Sequence, residues 1–199
     1  MFLLRWCALA LLLTSMPLQV VVAQARTPMR VLTLTSSSFA DGGEMPARHA
    51  QSGRDVSPAL TWSGVPDSVR SFVLLVRDVD AAQGDGTDDM LHWLVWNIPA
   101  TATALPEGVP SGSQLADGTR QISVSGPYYR GPAAPSSGPA HHYVFELFAL
   151  DITLPVAPAA MSPAATREAI MRAMAGHVRA KGALVARYRR PAPQPIRDP

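Results

Sequence analysis

Two neighbouring histidines open an otherwise apolar segment, GPAHHYVFELFALD (138–151). Imidazole rings can bind anions, ligate metal ions or transfer protons near neutral pH. If the segment is a β-strand, successive side chains point to opposite faces, so His141 and Tyr143 share one face and His142 points away. The pattern therefore predicts that one of the two histidines is a ligand-binding residue and the other a structural residue, whose loss should affect mainly stability.

Other polar residues lie near the ends of apolar segments. Asp78 and Asp80 close SFVLLVRDVD (71–80), and His92 lies near the start of MLHWLVWNIP (90–99). The two acids are two residues apart, so we expect them to share a face. Taken singly, an acid at a strand end is usually a turn former and a histidine there a structural group. Several such residues beside glycine- and proline-rich loops predict a binding site.

The elements that must position these side chains are mostly strands. The chain has 199 residues, 47% of them apolar, with 19 prolines and 14 glycines, which is typical of one domain of strands joined by turns. Nearly continuous apolar runs indicate strands covered on both faces. Strands are predicted in five segments: 30–39, 71–80, 90–99, 142–150 and 183–189.

One helix is predicted near the end of the chain. Ser162 is a suitable N-cap, Pro163 fits the first helical position and Gly182 lies beyond the predicted end. The apolar residues of one face are spaced by four: Ile170, Met174 and Val178. The residues alone therefore predict a mainly antiparallel β-domain with one or two helices packed near its C-terminus.

The first 25 residues have the pattern of a secretory signal peptide. Arg5 precedes an apolar run that leads to Ala23-Gln24-Ala25, a small-x-small cleavage site. An uncleaved membrane anchor is the alternative, but polar residues and a proline interrupt the run. We expect a signal peptide over 1–25, one domain over 26–190, a disordered tail over 191–199, and a periplasmic or secreted location. The only cysteine lies in the signal, which excludes thiol catalysis and thiolate metal sites in the mature chain.

The charge is balanced overall but uneven along the chain. The formal net charge is +2, and the segment 167–190 carries seven basic residues against one acid. This segment could contact anionic lipid or nucleic acid, or it could form a solvated helix face and an arginine-rich tail. Because no aromatic interleaving or nucleic-acid module accompanies it, we predict no nucleic-acid partner.

Several segments in order resemble the phosphatidylethanolamine-binding protein family, in its bacterial Raf-kinase-inhibitor-like branch. They are SPALTWSGVPDSVRSFVLLVRDVDA, LHWLVWNIPA, a Gly-Pro pair and HHYVFELFALD. The resemblance extends from about Val31 to Arg189. It implies an antiparallel β-sandwich with a small anion-binding pocket at one end.

The resemblance also assigns roles to individual residues. The ligand-binding positions it implies are Asp78, His92, Gly131, His141 and Tyr143, and the supporting positions are Asp80, Pro132 and His142. The sequence departs from the family pattern at three of its positions: prolines of the Asp-Pro-Asp-x-Pro loop are Val79 and Ala82 here, and the arginine of His-Arg-Tyr is His142. The loop 131–141 also looks longer than usual.

These residue types fit the binding of a phosphate-like anion. Imidazolium, a phenol and backbone N–H groups donate to an anion, and Asp78 would hold a histidine protonated or fix its tautomer. The predicted ligand is a small phosphorylated molecule or a lipid headgroup, and the resemblance leaves open a kinase or protease as protein partner. A homodimer is also left open. We assign no catalytic residue, metal or cofactor.

The alternative is a hydrolytic or metal-dependent enzyme that uses His92, His141 and Asp78. The sequence has no G-x-S-x-G elbow, Walker loop or H-E-x-x-H motif, although a catalytic triad can exist without an elbow.

Overall fold

The computed structural model describes residues 29–158 and 162–193. The predicted signal peptide and residues 194–199 of the predicted tail lie outside this part of the chain. The strands are β1 (Arg30–Val31), β2 (Thr33–Thr35), β3 (Gly43–Glu44), β4 (Leu60–Ser63), β5 (Ser71–Gln83), β6 (Asp88–Pro99), β7 (Ala104–Leu105), β8 (Arg120–Ile122), β9 (His141–Leu150) and β10 (Val178–Tyr188). A 3-10 turn covers Ala47–His49, and one helix, α1, covers Pro163–Met174.

The strands form a large sheet and a small one. The large sheet has the order β1-β10-β9-β5-β6-β8, with β3 paired to the end of β10, and the small sheet has the order β2-β4-β7. The long central strands all pair antiparallel, whereas the two-residue strands β1 and β3 run parallel to β10. The predicted mainly β, sandwich-like architecture with a helix near the C-terminus is confirmed.

The central strands are apolar on both faces because both faces of the large sheet are covered. Alternate side chains of β5, such as Phe72 and Leu74, pack towards the small sheet. There the ring of Trp62 contacts the ring of Phe72 edge-on, with the ring centroids 5.3 Å apart. The intervening Val73 packs on the opposite face, in the cluster that includes Ile170 of α1. This arrangement explains the unbroken apolar runs in the sequence.

The predicted first strand, 30–39, is wrong as a single element. Its residues are divided between β1 in the large sheet and β2 in the small sheet. Leu32 lies between the two and is buried. The chain therefore changes sheets at this point, which an apolar pattern alone does not reveal.

The predicted end of the helix is also wrong. Helix α1 ends at Met174, and Gly176 follows with φ +81°, a left-handed conformation that glycine adopts without strain. Val178 therefore begins β10 instead of extending the helix face. Gly182 lies within β10, where an added Cβ would come 2.6 Å from the Leu32 carbonyl oxygen. It is a close-packing glycine and not a helix terminator.

Much of the basic segment is neutralised by ion pairs. The pairs are Arg167–Asp89, Arg172–Glu168, Arg179–Asp151 and Lys181–Glu146. Within residues 29–158 and 162–193, no helix has the length and apolar character needed to cross a membrane.

Candidate functional site

The candidate site lies where β5, β6 and β9 run side by side at one end of the large sheet. Asp78 on β5 pairs in register with Tyr143 on β9, and His92 lies on the neighbouring strand β6. His141 begins β9, two residues before Tyr143. The antiparallel pairing thus brings together four of the side chains that the sequence predicts.

Asp78 and His141 form the polar centre of the site. The Oδ2 atom of Asp78 lies 2.9 Å from Nδ1 of His141, and a carboxylate can only accept, so Nδ1 donates. The Oδ1 atom accepts from the backbone N–H groups of Asp80 and Ala81 at 3.0 and 3.1 Å. The Asp78 side chain is 4% exposed and that of His141 is 21% exposed. Asp78 is therefore a buried carboxylate that fixes both a turn and one ring tautomer.

His92 and Tyr143 lie next to each other beneath this pair. Their rings meet edge-to-face with centroids 5.1 Å apart, and both residues are buried. His92 Nδ1 lies 2.7 Å from the carbonyl oxygen of Arg130 and donates to it. His92 Nε2 and the Tyr143 hydroxyl are buried without a hydrogen-bond partner. Because buried polar atoms are normally satisfied, these two atoms mark a place for water or a ligand.

Burial shifts the pKa values of His92 and Tyr143 in the directions that favour their neutral forms. Burial lowers the pKa of His92, and this outweighs the opposite effects of the Arg130 carbonyl and of Asp78. Burial also raises the pKa of Tyr143 well above its usual value, and the Asp78 carboxylate raises it further. At neutral pH His92 is therefore neutral and Tyr143 carries its proton, so His92 does not supply the imidazolium that was expected to bind an anion.

The Gly-Pro loop has a different role from the one expected. The Gly131 N–H donates to Asp55 at 2.6 Å, so this donor is not free to bind an anion. An added Cβ at Gly131 would lie 2.1 Å from the His49 carbonyl oxygen, which explains the need for glycine. Pro132 has no N–H, and its carbonyl accepts from the Gln51 backbone. The glycine and proline therefore anchor the loop against residues 49–55.

Two alanines bring backbone donors to the site instead. The backbone groups of Ala133 and Ala134 approach the Tyr143 hydroxyl and favour its ionised form, although burial has the larger effect on its pKa. These residues directly follow the Gly-Pro pair. The loop thus supplies N–H groups beside Tyr143, two and three residues after Gly131.

His142 and Asp80 form a separate, exposed pair. Asp80 Oδ2 accepts from the backbone N–H and from ring Nδ1 of His142, at 2.6 and 2.8 Å. Burial opposes ionisation of Asp80, but these bonds lower its pKa overall. The two acids therefore bind histidines on opposite faces of β9. The expectation that Asp78 and Asp80 act on one face is wrong because the strand is irregular between Asp78 and Ala82.

Three residues near the site were not identified from the sequence. Asp55 has φ +53°, an uncommon value for a residue other than glycine, and binds the Gly131 N–H. Gln51 Nε2 donates to the Gly131 carbonyl at 2.6 Å. Arg130 has a buried Nε atom without a partner, and its charge contributes to the lowered pKa of His92. No local pattern marks Asp55 or Gln51, since their partner is about eighty residues away in the chain.

A metal site receives no support from this geometry. In the part of the chain that the structure describes, no three histidine, cysteine, aspartate or glutamate side chains converge closely enough to hold a metal ion. His141 forms a direct hydrogen bond with Asp78. Asp78 affects the pKa of His92 only through its charge.

Comparisons with known proteins agree with the fold and the motifs. A family model described as phosphatidylethanolamine-binding protein matches residues 35–189. A UPF0098 protein of Methanothermobacter thermautotrophicus is 38% identical over 161 residues, covering 80% of this chain and 99% of that protein. The UPF0098 protein YbhB of Escherichia coli is 38% identical over 128 residues, covering 61% of this chain and 79% of that protein.

Two solved structures share the fold. The phosphatidylethanolamine-binding protein homolog CT736 of Chlamydia trachomatis is 30% identical with a TM-score of 0.68, covering 81% of this chain and 99% of that chain. Escherichia coli YbcL is 28% identical with a TM-score of 0.64, covering 80% of this chain and 98% of that chain. The chain belongs to the phosphatidylethanolamine-binding protein family, and the resemblance found in the sequence is confirmed.

Proposed function

We propose that this chain is an exported protein that binds a small anion, either phosphate or a phospholipid headgroup, and that this binding has a regulatory or inhibitory role. The observation that carries the proposal is the pair of unsatisfied buried atoms, His92 Nε2 and Tyr143 Oη. A buried polar atom without a partner costs about 1–3 kcal/mol, which a bound ligand would recover.

The exposure of the site residues makes His141 the side chain that a ligand would contact first. Of the four side chains at the site, His141 is the most exposed, at 21%, whereas Asp78, His92 and Tyr143 are nearly closed to solvent. We therefore place the approach of a ligand beside the His141 ring. Polar side chains of this kind favour a phosphate-sized group over a large apolar ligand.

The positive charge for an anion comes from outside the neutral His92 ring. Arg130 lies close enough to lower the pKa of His92, and its guanidinium can supply a positive charge to a bound anion. The His141 ring keeps Nε2 available for a ligand because Nδ1 is bonded to Asp78. The hydroxyl of Tyr143 and the N–H groups of Ala133 and Ala134 add neutral donors.

Export and regulation are the broader part of the proposal. The small-x-small site at Ala23-Gln24-Ala25 supports cleavage after Ala25 and a periplasmic or secreted product. A regulatory or inhibitory role rests on the family, whose members have been linked to lipid headgroups, kinase pathways and protease inhibition. The kinase or protease partner and the homodimer remain proposals of the same kind.

The binding proposal is tested by calorimetry with inorganic phosphate and phosphoethanolamine. We expect saturable binding that weakens on the order of 10–100-fold in His141→Ala. His177→Ala is the matched control, because it also removes a partly exposed histidine bonded to an aspartate, and its affinity should match wild type. If both phosphate and phosphoethanolamine fail to bind, the proposal is overturned. A burst with an activated ester, or tight zinc binding, would favour the enzyme alternative instead.

A further inference from the structure

A groove opens between the two sheets at one side of the sandwich. Strand β7 is the last strand of the small sheet there, and β8 is the last strand of the large sheet. The groove has a volume of about 580 Å³, and its lining includes Ile98 of β6, Leu105 of β7 and Thr119, the residue before β8. Because Ile98 and Leu105 belong to the buried core between the sheets, the groove reaches that core.

The lining of this groove is mostly apolar. Besides Ile98 and Leu105, it includes Val109 and Leu115 from the loop 106–118, together with several alanines and prolines. Its volume falls within the range of about 300–1,000 Å³ that is typical of small-molecule sites. Water forms few hydrogen bonds with apolar walls, so an aliphatic ligand gains from displacing it. The lining therefore favours a ligand with an aliphatic chain.

One buried hydroxyl interrupts the apolar lining. Thr119 is 1% exposed, and within the part of the chain that the structure describes its Oγ1 atom has no hydrogen-bond partner. The backbone of Thr119 is fixed on both sides, since its N–H donates to Asp117 Oδ1 at 2.9 Å and its carbonyl accepts from the Leu115 N–H at 2.7 Å. A hydroxyl can donate and accept, so one polar group on a ligand would satisfy Oγ1.

The charge at the groove determines which polar group fits. Asp117 is an exposed carboxylate in the lining, and the lining residues that the structure describes include no lysine or arginine. A carboxylate or phosphate on the ligand would be repelled by Asp117 without a compensating cation. The groove therefore favours an uncharged polar group, such as a hydroxyl, over an anionic one.

We propose that this groove is a second ligand site, which binds an uncharged aliphatic molecule by packing its chain on Ile98 and Leu105 and by a hydrogen bond to Thr119. Oγ1 is covered in the structure, so binding requires a small shift of the residues around it. The groove is separate from the anion site, because Ile98 follows His92 by six residues on β6, about 20 Å along the strand.

The first test compares 1-octanol with octanoate by NMR of the methyl groups. We expect saturable binding of octanol below about 1 mM, with the largest shifts at Ile98, Leu105 and Thr119. Octanoate should bind roughly threefold to tenfold more weakly because of Asp117. Asp117→Asn keeps an oxygen for the Thr119 N–H and should reduce this difference. Asp67→Asn is the matched control, because it removes an exposed carboxylate outside the groove and should leave the difference unchanged.

Thr119→Val separates a binding role of the hydroxyl from a structural one. Replacing an unsatisfied buried hydroxyl by a methyl group removes a desolvation cost, so the urea midpoint should rise. Octanol affinity should fall about threefold to tenfold, the effect of one neutral hydrogen bond. Thr166 is the matched control, because it is also buried but donates its hydroxyl to the Ser162 carbonyl at 3.1 Å. Thr166→Val should lower the urea midpoint and leave octanol affinity unchanged.

Ala104→Phe tests the place of binding. Ala104 is exposed and lines the groove, so a larger side chain can fill the groove while the core stays intact. Octanol binding should be lost in this variant, with thermal unfolding as the check that it is folded.

Several outcomes would overturn the inference. They are an octanol titration that does not saturate, octanol binding that survives in folded Ala104→Phe, and methyl shifts that lie at the anion site instead of the groove. Equal affinity for octanol and octanoate overturns the preference for an uncharged group, and a lowered urea midpoint in Thr119→Val overturns the role of the hydroxyl. None of these measurements uses phosphate, so their failure leaves the proposed function unaffected.

Discussion

Loss of His141 should destabilise the protein more than loss of its neighbour His142. In His141→Ala, Asp78 Oδ2 loses its partner while only 4% of that side chain reaches solvent. An unmet buried acceptor costs about 1–3 kcal/mol, and more when it is charged. The two N–H groups that bind Oδ1 remain, which keeps the loss towards the lower part of that range.

The corresponding loss in His142→Ala is small for two reasons. His142 and Asp80 are 49% and 41% exposed, and exposed ion pairs contribute about 0–1 kcal/mol. The backbone N–H of His142 also continues to bind Asp80 Oδ2 after the ring is removed. The structure therefore reverses the expectation from strand alternation and the family resemblance together, in which His142 was the residue important for stability.

Urea unfolding at about pH 7.5, where an ordinary histidine is mostly neutral, measures this difference. With a urea m-value of about 1–3 kcal/mol/M, His141→Ala should lower the midpoint by roughly 0.5–1 M. In the Asp78→Asn background the same substitution should cost less, because a neutral amide is less costly to leave unpaired. An equal or larger loss in His142→Ala would refute the reasoning.

Three further predictions follow from the packing, the pKa shifts and the sequence. Gly131→Ala should destabilise the fold by about 1–3 kcal/mol, because its Cβ would lie 2.1 Å from the His49 carbonyl oxygen. Gly108→Ala, with φ +71° and open space, should cost only about 1 kcal/mol, and equal losses in urea unfolding would contradict the steric argument. Burial lowers the pKa values of His49 and His92, so their stabilising effect is complete above the unfolded pKa of about 6.5 and is lost as pH falls below it. The free energy of unfolding should therefore drop between about pH 7.5 and 5, and a flat profile would oppose this. N-terminal sequencing of exported protein should begin at Arg26, and recovery of intact chain in membranes would refute export by cleavage.

The sequence predicted the parts of the fold and of the site that depend on the pattern of residues along a single strand. Alternation along β9 placed His141 and Tyr143 on one face, and the structure brings both to Asp78. The apolar runs of β5 and β6 predicted strands covered on both sides, and both faces are packed. The first feature follows from the two-residue period of a strand, and the second from the covering of both faces of the sheet.

The parts that failed depend on distant contacts. Gly131 was predicted to offer its N–H to a ligand, but Asp55, 76 residues earlier, takes that donor. The neutral state of His92 follows from its burial by distant parts of the chain, which outweighs the opposite effect of the Arg130 carbonyl, 38 residues away. The predicted helix extended past Gly176 because the helical spacing of apolar residues continues to Val178. In the structure Val178 instead begins β10, which pairs with β9. Local patterns contain no information about such competing partners.

The departures from the family pattern affect the exposed edge of the site and not its buried residues. Prolines at the positions of Val79 and Ala82 would each lack an N–H donor, whereas here Ala82 resumes strand pairing opposite Asp89. His142, in the position of the family's arginine, supports the loop by donating twice to Asp80. Neither change touches the contacts of the buried atoms. The buried contacts of Asp78, His92 and Tyr143 therefore do not depend on these departures from the family pattern.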